Sequence, residues 1–179
     1  MIQSLNHVEK LIVHHSWSPN NRLVNNWESI RKYHTSWRYN GEIIAEEKAK
    51  KLIMNGVEGV ESPLYDIGYH AGQEWYQGRL YLCVGRPEWI AGAHCREERI
   101  NYRSLGYCFV GCFDLEPPSD EELQFAAKIR KYNLPGVDCI EPHRNYTKEK
   151  SCPGSKFPMG KLKLFVAQRL RKDESESPG

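Results

Sequence analysis

A segment near the carboxyl end of the chain carries three side chains whose chemistry could work together. Residues 141–154 contain His143, Lys150 and Cys152 in a stretch rich in proline, glycine, asparagine and serine. Its two prolines each remove a backbone donor, so we predict an irregular loop rather than a helix. Imidazole nitrogen and thiolate sulfur are both good zinc ligands. The segment is therefore a candidate metal-binding loop, in which the lysine would place a positive charge beside the metal, and the rest of the chain decides between this and an ordinary loop.

Two adjacent histidines follow a short apolar run near the amino end of the chain. The branched residues 11–13 predict a buried strand, and His14 and His15 come directly after them. Residues at the end of a central strand reach the crevice where open sheets bind ligands. Because neighbouring residues of a strand point to opposite faces, His15 competes with His14 for one position at such a site. The alternative is that one of the pair packs in the core and the other faces solvent.

Apolar periodicity surrounds these residues with helices and strands. Helices are predicted over residues 27–36, 42–55, 120–132 and 161–171. Strands are predicted to open at residues 65–70, to form a hairpin over 74–83, and to fill the core over the uncharged run 104–114. We expect Cys108 and Cys112 to be core residues. We expect His34 to pack or to form a hydrogen bond rather than to bind a metal.

Length and charge limit the class of protein. The chain has 179 residues, which suits one domain with a full hydrophobic core. Its 40% hydrophobic and 27% charged residues are ordinary for a globular protein. With 25 basic and 23 acidic residues, the chain is too balanced in charge to favour nucleic acid as a partner.

Targeting signals and cysteine usage indicate where the chain is made. No apolar run approaches the roughly 20 residues that cross a bilayer. The amino-terminal residues lack the basic and apolar pattern of a secretory signal peptide. The six cysteines include no CxxC pair, which argues against a zinc ribbon or a thioredoxin motif. We therefore expect free thiols in a reducing cytoplasm.

Taken in chain order, these pieces resemble the type 2 N-acetylmuramoyl-L-alanine amidases, a family that includes phage lysozyme-like endolysins and the catalytic peptidoglycan recognition proteins. The resemblance spans about residues 8–171, and the segments that carry it are 11–16, 30–34, 66–70, 85–87, 92–94, 104–111, 143–144 and 152–154. Residues 40–64 read as an insertion before the motif that contains Tyr69. The interval from His143 to Cys152 is also about one residue longer than the family pattern.

The resemblance implies a peptidoglycan-recognition-protein-like amidase fold. This is a single α/β domain with a central mixed β-sheet flanked by helices. It assigns residues 1–172 to the zinc amidase domain, with the insertion 40–64 inside it. The acidic, serine-rich residues 173–179 are predicted to be a disordered tail.

The resemblance also implies the reaction, which is hydrolysis of the amide bond between N-acetylmuramic acid and L-alanine in peptidoglycan. The implied zinc ligands are His14, His143 and Cys152. Three protein ligands leave a fourth position open for water. Tyr69 and Lys150 are the implied catalytic residues, since a hydroxyl and an ammonium can both stabilise a developing oxyanion. His70 and His94 are expected to line the substrate groove, with ordinary hydrogen-bonded histidines as the alternative.

The same resemblance implies a biological role and leaves alternative functions open. We expect a monomeric phage or prophage endolysin that is made in the cytoplasm without a signal peptide and reaches peptidoglycan after membrane breach. We expect no nucleic acid partner and no membrane anchor. One alternative is a cytoplasmic amidase that recycles muropeptides, although such enzymes carry an aspartate where Cys152 stands. Another is a non-catalytic peptidoglycan-binding protein, a class that tends to lose this cysteine, and a regulatory role toward a polymerase or other partner stays open.

Overall fold

The computed structural model describes residues 4–5, 7–17, 26–128, 137–147 and 149–176. Within these ranges the strands are β1 (Lys10–His15), β2 (Arg38–Tyr39), β3 (Glu42–Ile43), β4 (Ala71–Tyr76), β5 (Arg79–Val84), β6 (Ser104–Phe109) and β7 (Ile140–Pro142). The α-helices are α1 (Trp27–His34), α2 (Glu46–Met54), α3 (Asp120–Ala126) and α4 (Met159–Glu176). Short 3₁₀ helices cover Glu97–Tyr102, Val137–Cys139 and His143–Asn145.

A mixed five-stranded sheet runs through the middle of the molecule in the order β5-β4-β6-β1-β7. β1 lies between β6 and β7 and is parallel to both, and β4 is parallel to β6. β5, the hairpin partner of β4, runs antiparallel at the edge. The predicted α/β fold with a central mixed sheet and helices is therefore confirmed.

Helices cover the two faces of this sheet because neighbouring residues of its central strands point to opposite sides. Leu11 and Val13 of β1 belong to the core that α3 and α4 cover. Trp27 of α1 packs instead with Cys108 of β6, on the opposite face. Every position of β6 is buried, as predicted for a central strand covered on both sides. Cys112, just beyond β6, is also buried, as predicted.

The hairpin predicted over residues 74–83 is present between β4 and β5. Gln77 and Gly78 form its turn, with positive φ values of 48° and 73°. Two positive φ values in a two-residue loop are typical of the type I′ hairpin turn. The first strand begins at Ala71, so residues 65–70 form a loop rather than the predicted opening of the strand.

The segment predicted as a helix over residues 42–55 begins as a strand instead. Asn40 and Gly41 form a second two-residue turn, with φ values of 51° and 78°, and join β2 to β3. The helix α2 therefore starts only at Glu46. An Asn-Gly pair between short strands is a strong hairpin signal, and the helical periodicity after it concealed the turn. The apolar side of α2 is buried at Ala49.

Three helix ends differ from the predicted ones. α1 ends at His34, two residues early. α3 is described to Ala126, and the last predicted residues of that helix, 129–132, lie outside the described residues. α4 begins before the predicted boundary and continues to Glu176, into the segment predicted to be a disordered tail. Residues 177–179 of that tail lie outside the described ranges. A helix able to cross a membrane is not found in the part of the chain that the structure describes.

Candidate metal centre

The carboxyl ends of parallel strands meet at one edge of the sheet, and the predicted ligands gather there. His14 lies in β1 opposite Cys108 of β6. Pro142 ends β7 opposite Val13, so His143 follows directly beside His14. The ring centroids of the two histidines are 4.6 Å apart. Open sheets commonly bind their ligands at this edge.

The loop after β7 folds back so that Cys152 reaches the same place. Arg144 secures this loop because its backbone N–H donates to the Cys152 carbonyl at 2.7 Å and its guanidinium donates to the Gly154 carbonyl at 2.8 Å. The sulfur of Cys152 consequently lies 3.5 Å from Nδ1 of His14. One donor atom from each of His14, His143 and Cys152 lies within 4.8 Å of the other two. The fold thus brings the three predicted ligands together.

Two other groups of ligand-type side chains lie within the same 4.8 Å of one another. The first group consists of His15, Cys112 and Asp114, and the second of Cys95, Glu97 and His143. In the first group, Nδ1 of His15 accepts the N–H of Phe113 at 3.2 Å, and a neutral imidazole has only one acceptor nitrogen. The carboxylate of Asp114 accepts hydrogen bonds from Ser151 and Ser155, both at 2.7 Å. Because His15 and Asp114 use these atoms in hydrogen bonds between chain segments, the first group is less available to a metal.

One ring nitrogen of His14 faces the cluster, and the other lies within hydrogen-bond distance of His94. Its Nε2 lies 3.0 Å from Nδ1 of His94, while its Nδ1 faces the sulfur of Cys152. With the proton on Nε2 donated to His94, Nδ1 is left unprotonated for a metal. His14 is 1% exposed, and this burial holds its pKa well below the usual histidine range. The ring is therefore in the neutral form that metal binding requires.

The donor set fits zinc. Two imidazoles and one cysteine make a three-ligand set with an open position, as catalytic zinc sites have. Nitrogen and sulfur donors favour zinc over magnesium or calcium, which prefer oxygen. Burial raises the pKa of the Cys152 thiol to about 12, so a metal would have to displace its proton on binding.

A carboxylate that the sequence did not single out lies beside the second histidine of the cluster. Oε2 of Glu97 is 3.5 Å from Nε2 of His143 and 3.5 Å from the sulfur of Cys95. Burial by itself would raise the pKa of the Glu97 carboxyl. Hydrogen bonds from its own backbone N–H and from the His143 ring lower this pKa by more, so the net shift is downward. No sequence signal marked Glu97, because it is one of several charged residues in an irregular connection.

The two predicted catalytic side chains lie in the same cleft as the cluster. Tyr69 is partly buried, and its ring centroid is 5.1 Å from that of His14. Burial raises the pKa of its hydroxyl well above the usual tyrosine range, so the hydroxyl keeps its proton. Lys150 is exposed and makes no hydrogen bond or ion pair with the described residues.

Two adjoining clefts flank the cluster. The first, of about 490 Å³, contains all three predicted ligands. The second, of about 340 Å³, extends past Arg38, Glu61 and Arg96. The residues that line both clefts are His34, Ala93, His94, His143 and Lys150. This shared wall places the candidate metal ligands where the two clefts meet.

The two histidines predicted to bind substrate occupy different positions. His70 is 3% exposed, its Nδ1 accepts the N–H of Gly106, and its Nε2 donates to the Ile90 carbonyl, both at 2.9 Å. It lines neither of these clefts, so its position favours the alternative of an ordinary hydrogen-bonded histidine. His94 lines both clefts, but its Nδ1 is engaged by His14. A Cβ at Gly106 would come within 2.6 Å of the His94 ring, so close packing fixes that ring.

Several solved structures share this fold. N-acetylmuramoyl-L-alanine amidase LysC from Clostridium intestinale is 22% identical, with 93% of this chain and 90% of that chain covered and a TM-score of 0.55. The endolysin of Thermus scotoductus bacteriophage Ph2119 is 19% identical, with 93% and 88% covered and a TM-score of 0.56. Drosophila PGRP-LB is 19% identical, with 87% and 81% covered and a TM-score of 0.55. At these identities the likeness shows the fold alone.

Sequence comparison identifies the family. None of the curated proteins matches the chain. Residues 4–155 match the family described as N-acetylmuramoyl-L-alanine amidase, and this match covers most of the chain. The chain therefore belongs to the N-acetylmuramoyl-L-alanine amidase family.

Proposed function

We propose that the chain is a zinc-dependent amidase that hydrolyses the amide bond between N-acetylmuramic acid and L-alanine in peptidoglycan. The observation that carries this proposal is the cluster of His14, His143 and Cys152, whose donor atoms lie within 4.8 Å of one another. Family membership supports the reaction class. A protein that only bound peptidoglycan would have no need of a thiol and two neutral imidazoles converging in a cleft.

Each residue of the site has a task in this reaction. His14, His143 and Cys152 would hold the ion, which would act as a Lewis acid and activate a water molecule. Tyr69 donates a hydrogen bond from its protonated hydroxyl to the carbonyl oxygen as negative charge develops there. Lys150 contributes positive charge from the same cleft.

The two clefts suit a branched substrate. The scissile amide joins a glycan to a peptide, so the two parts of the substrate leave the reacting centre in different directions. Two clefts that meet at the ligand cluster offer a separate surface for each part. The second cleft carries Arg38, Arg96 and Lys150 as well as two glutamates, which suits the charged groups of a peptide stem.

A lytic role extends the proposal from reaction to biology. Two of the proteins that share the fold are named as an amidase and as a phage endolysin. We assign this chain the same kind of role, as a phage or prophage endolysin that acts on wall peptidoglycan as a monomer. Lysis of susceptible cells from outside, after their outer barrier has been permeabilised, should therefore accompany hydrolysis of purified peptidoglycan.

Zinc content and product chemistry test the enzymatic proposal together. The wild-type protein is expected to bind one zinc per chain and to release peptides that begin with a free L-alanine amino group. Cys152→Ser and His143→Ala should lose both zinc and activity. Tyr69→Phe should keep zinc and lose about 10²- to 10³-fold in rate, as removal of one oxyanion donor does.

The neighbouring histidines provide the matched control. His14→Ala should abolish zinc binding, whereas His15→Ala should keep it. The opposite result would move the ligand by one residue along β1. Zinc binding by the wild type together with retention on peptidoglycan, without any release of L-alanine amino groups, would instead identify a peptidoglycan-binding protein.

A further inference from the structure

His143 of the cluster lies next to the carboxylate of Glu97, which has no part in the reaction described above. Oε2 of Glu97 lies 3.5 Å from Nε2 of His143, longer than a usual N–H···O hydrogen bond but within contact distance of an ion pair. We propose that Glu97 is a positioning residue for the metal centre, which accepts the Nε2 proton of His143 and leaves the other ring nitrogen as the metal donor. This inference rests on the proposed zinc site. It adds a residue to that site which neither the reaction nor the family resemblance assigns.

The loop that carries Glu97 is built to hold its position. Oδ1 of Asn101 accepts the N–H groups of His94 at 2.9 Å and Cys95 at 2.8 Å. The Asn101 N–H in turn donates to the Cys95 carbonyl at 3.0 Å. The two residues directly after Glu97 both have positive φ values, 48° and 59°, although neither is glycine. Such conformations persist where surrounding contacts impose them.

The same loop supports the other histidine ligand. His94 engages Nε2 of His14 at 3.0 Å, just as Glu97 engages Nε2 of His143. In both imidazoles, Nε2 therefore contacts a second protein side chain, and the other ring nitrogen stays available to a metal. Outer partners of this kind fix the orientation and tautomer of a metal-bound histidine and raise its basicity. A carboxylate does this more strongly than a neutral acceptor, because charge-assisted hydrogen bonds are roughly twice as strong.

A second metal ion is the alternative reading of the same residues. Cys95, Glu97 and His143 also lie within 4.8 Å of one another. His143 would then have to serve two ions at once, but a neutral imidazole offers a single lone pair for coordination. Cys95 is 1% exposed, and its thiol already donates to Glu97 at 3.5 Å. These features favour one ion with Glu97 outside its ligand set.

Zinc affinity, measured by competition with a chelator, tests the assignment. Glu97→Gln keeps an acceptor oxygen and removes the charge, whereas Glu97→Ala removes both. We expect affinity to fall from wild type through Glu97→Gln to Glu97→Ala, with a total loss of about 10- to 100-fold. Glu98→Gln is the matched control, because it removes the same charge from the exposed neighbouring residue and should keep wild-type affinity. Thermal unfolding of the zinc-free proteins should be similar for all four.

Several outcomes would overturn the proposal. Wild-type affinity in Glu97→Ala would remove Glu97 from the metal centre. Two zinc ions per wild-type chain, falling to one in Glu97→Ala, would make Glu97 a ligand rather than a positioning residue. Equal losses in Glu98→Gln and Glu97→Gln would reduce the effect to general charge. A wild-type protein that bound no zinc would overturn both the proposed function and this inference. Wild-type affinity in Glu97→Ala would overturn this inference alone, so the two failures are distinguishable.

Discussion

Lys150 brings to the cleft of the candidate metal ligands a positive charge that is unpaired among the described residues. Its side chain is exposed and lines both clefts. The guanidinium of Arg144, by contrast, is engaged by the carbonyl groups of Ser151 and Gly154. An ammonium that is not held by other groups can approach the carbonyl oxygen of a substrate as negative charge builds there. We therefore propose that Lys150 acts through its charge rather than through a fixed contact.

Substitution of Lys150 tests that role. Lys150→Ala is expected to keep zinc content and folding, and to lower turnover by about 10²-fold through loss of transition-state charge stabilisation. Lys150→Arg keeps the charge and should recover most of the rate. The measurements are kcat on purified peptidoglycan and zinc per chain.

A surface lysine serves as the control for Lys150. Lys148 is the nearer lysine, but it lies outside the described residues. Lys48 is exposed on α2 and lines neither cleft, so Lys48→Ala should have almost no effect. Equal, mild losses in Lys48→Ala and Lys150→Ala would assign Lys150 to the solvated surface and leave Tyr69 as the catalytic side chain.

Residue types predicted which side chains gather at the site, but not what each ring nitrogen does. The sequence left His14 and His15 as competitors, and their hydrogen bonds distinguish them: His15 accepts the N–H of Phe113, whereas His14 keeps Nδ1 for the cluster. His94 was expected to line the groove for substrate, and it does line the groove, but it is bonded to His14. These partners are 80 or more residues apart along the chain, so no local pattern encodes them.

At the scale of elements, the insertion is joined to the rest of the fold at its two ends. Arg38 and Glu61 exchange backbone hydrogen bonds at 3.0 and 2.8 Å, and their side chains form an ion pair at 3.0 Å. Arg38 is 4% exposed and also donates to the carbonyl groups of Tyr33 and His34 at the end of α1. Both paired residues line the second cleft. The hairpin β2–β3 and the helix α2 thus lie between two adjacent anchor points beside that cleft.

These paired ends make the insertion removable. Replacing residues 39–60 with an Asn-Gly turn should preserve the Arg38–Glu61 pairing, because a two-residue turn can close an antiparallel pair whose residues exchange backbone hydrogen bonds. We expect the shortened protein to fold and bind zinc, and to change its relative rates on peptidoglycans with different peptide stems. Unchanged relative rates would show that the segment only covers the surface of the fold.

Elements with a clear local sequence pattern were predictable, and elements defined only by pairing were not. The buried run of β6 and the hairpin of β4 and β5 were predicted from local pattern. β7 has only three residues, too few for a periodic signal, and exists because it pairs with β1. That pairing places His143 beside His14, so the sequence could mark His143 as a candidate ligand without predicting the strand that positions it.

Across the whole molecule, neutral histidines join loops to neighbouring elements: the buried His70 joins a loop to the sheet, and the half-buried His34 joins α1 to that loop. Nδ1 of His70 accepts the N–H of Gly106 in β6, and Nδ1 of His34 accepts the N–H of Gly68, each at 2.9 Å. Burial lowers the pKa of His70 to about 4; the Ile90 carbonyl opposes this shift and the nearby Arg86 guanidinium adds to it. Burial likewise lowers the pKa of His34 to about 4. Protonating either ring would place a proton on a nitrogen that must accept a backbone hydrogen bond.

This arrangement predicts loss of stability in mild acid, and His70 offers the clearest test. Its folded pKa of about 4 lies below the unfolded value near 6.5, so the unfolded chain binds more protons between these limits. The stability from a neutral His70 is therefore complete above pH 6.5 and decreases as pH falls, by about 2 kcal/mol at pH 5 and about 3 kcal/mol at pH 4. His70→Gln can keep both hydrogen bonds without titrating, so its unfolding free energy, measured with zinc removed by a chelator, should fall less steeply between pH 7 and pH 4 than that of the wild type. His7→Gln removes an exposed histidine and should retain the wild-type slope; if His70→Gln retains it as well, His70 is not a source of the acid sensitivity.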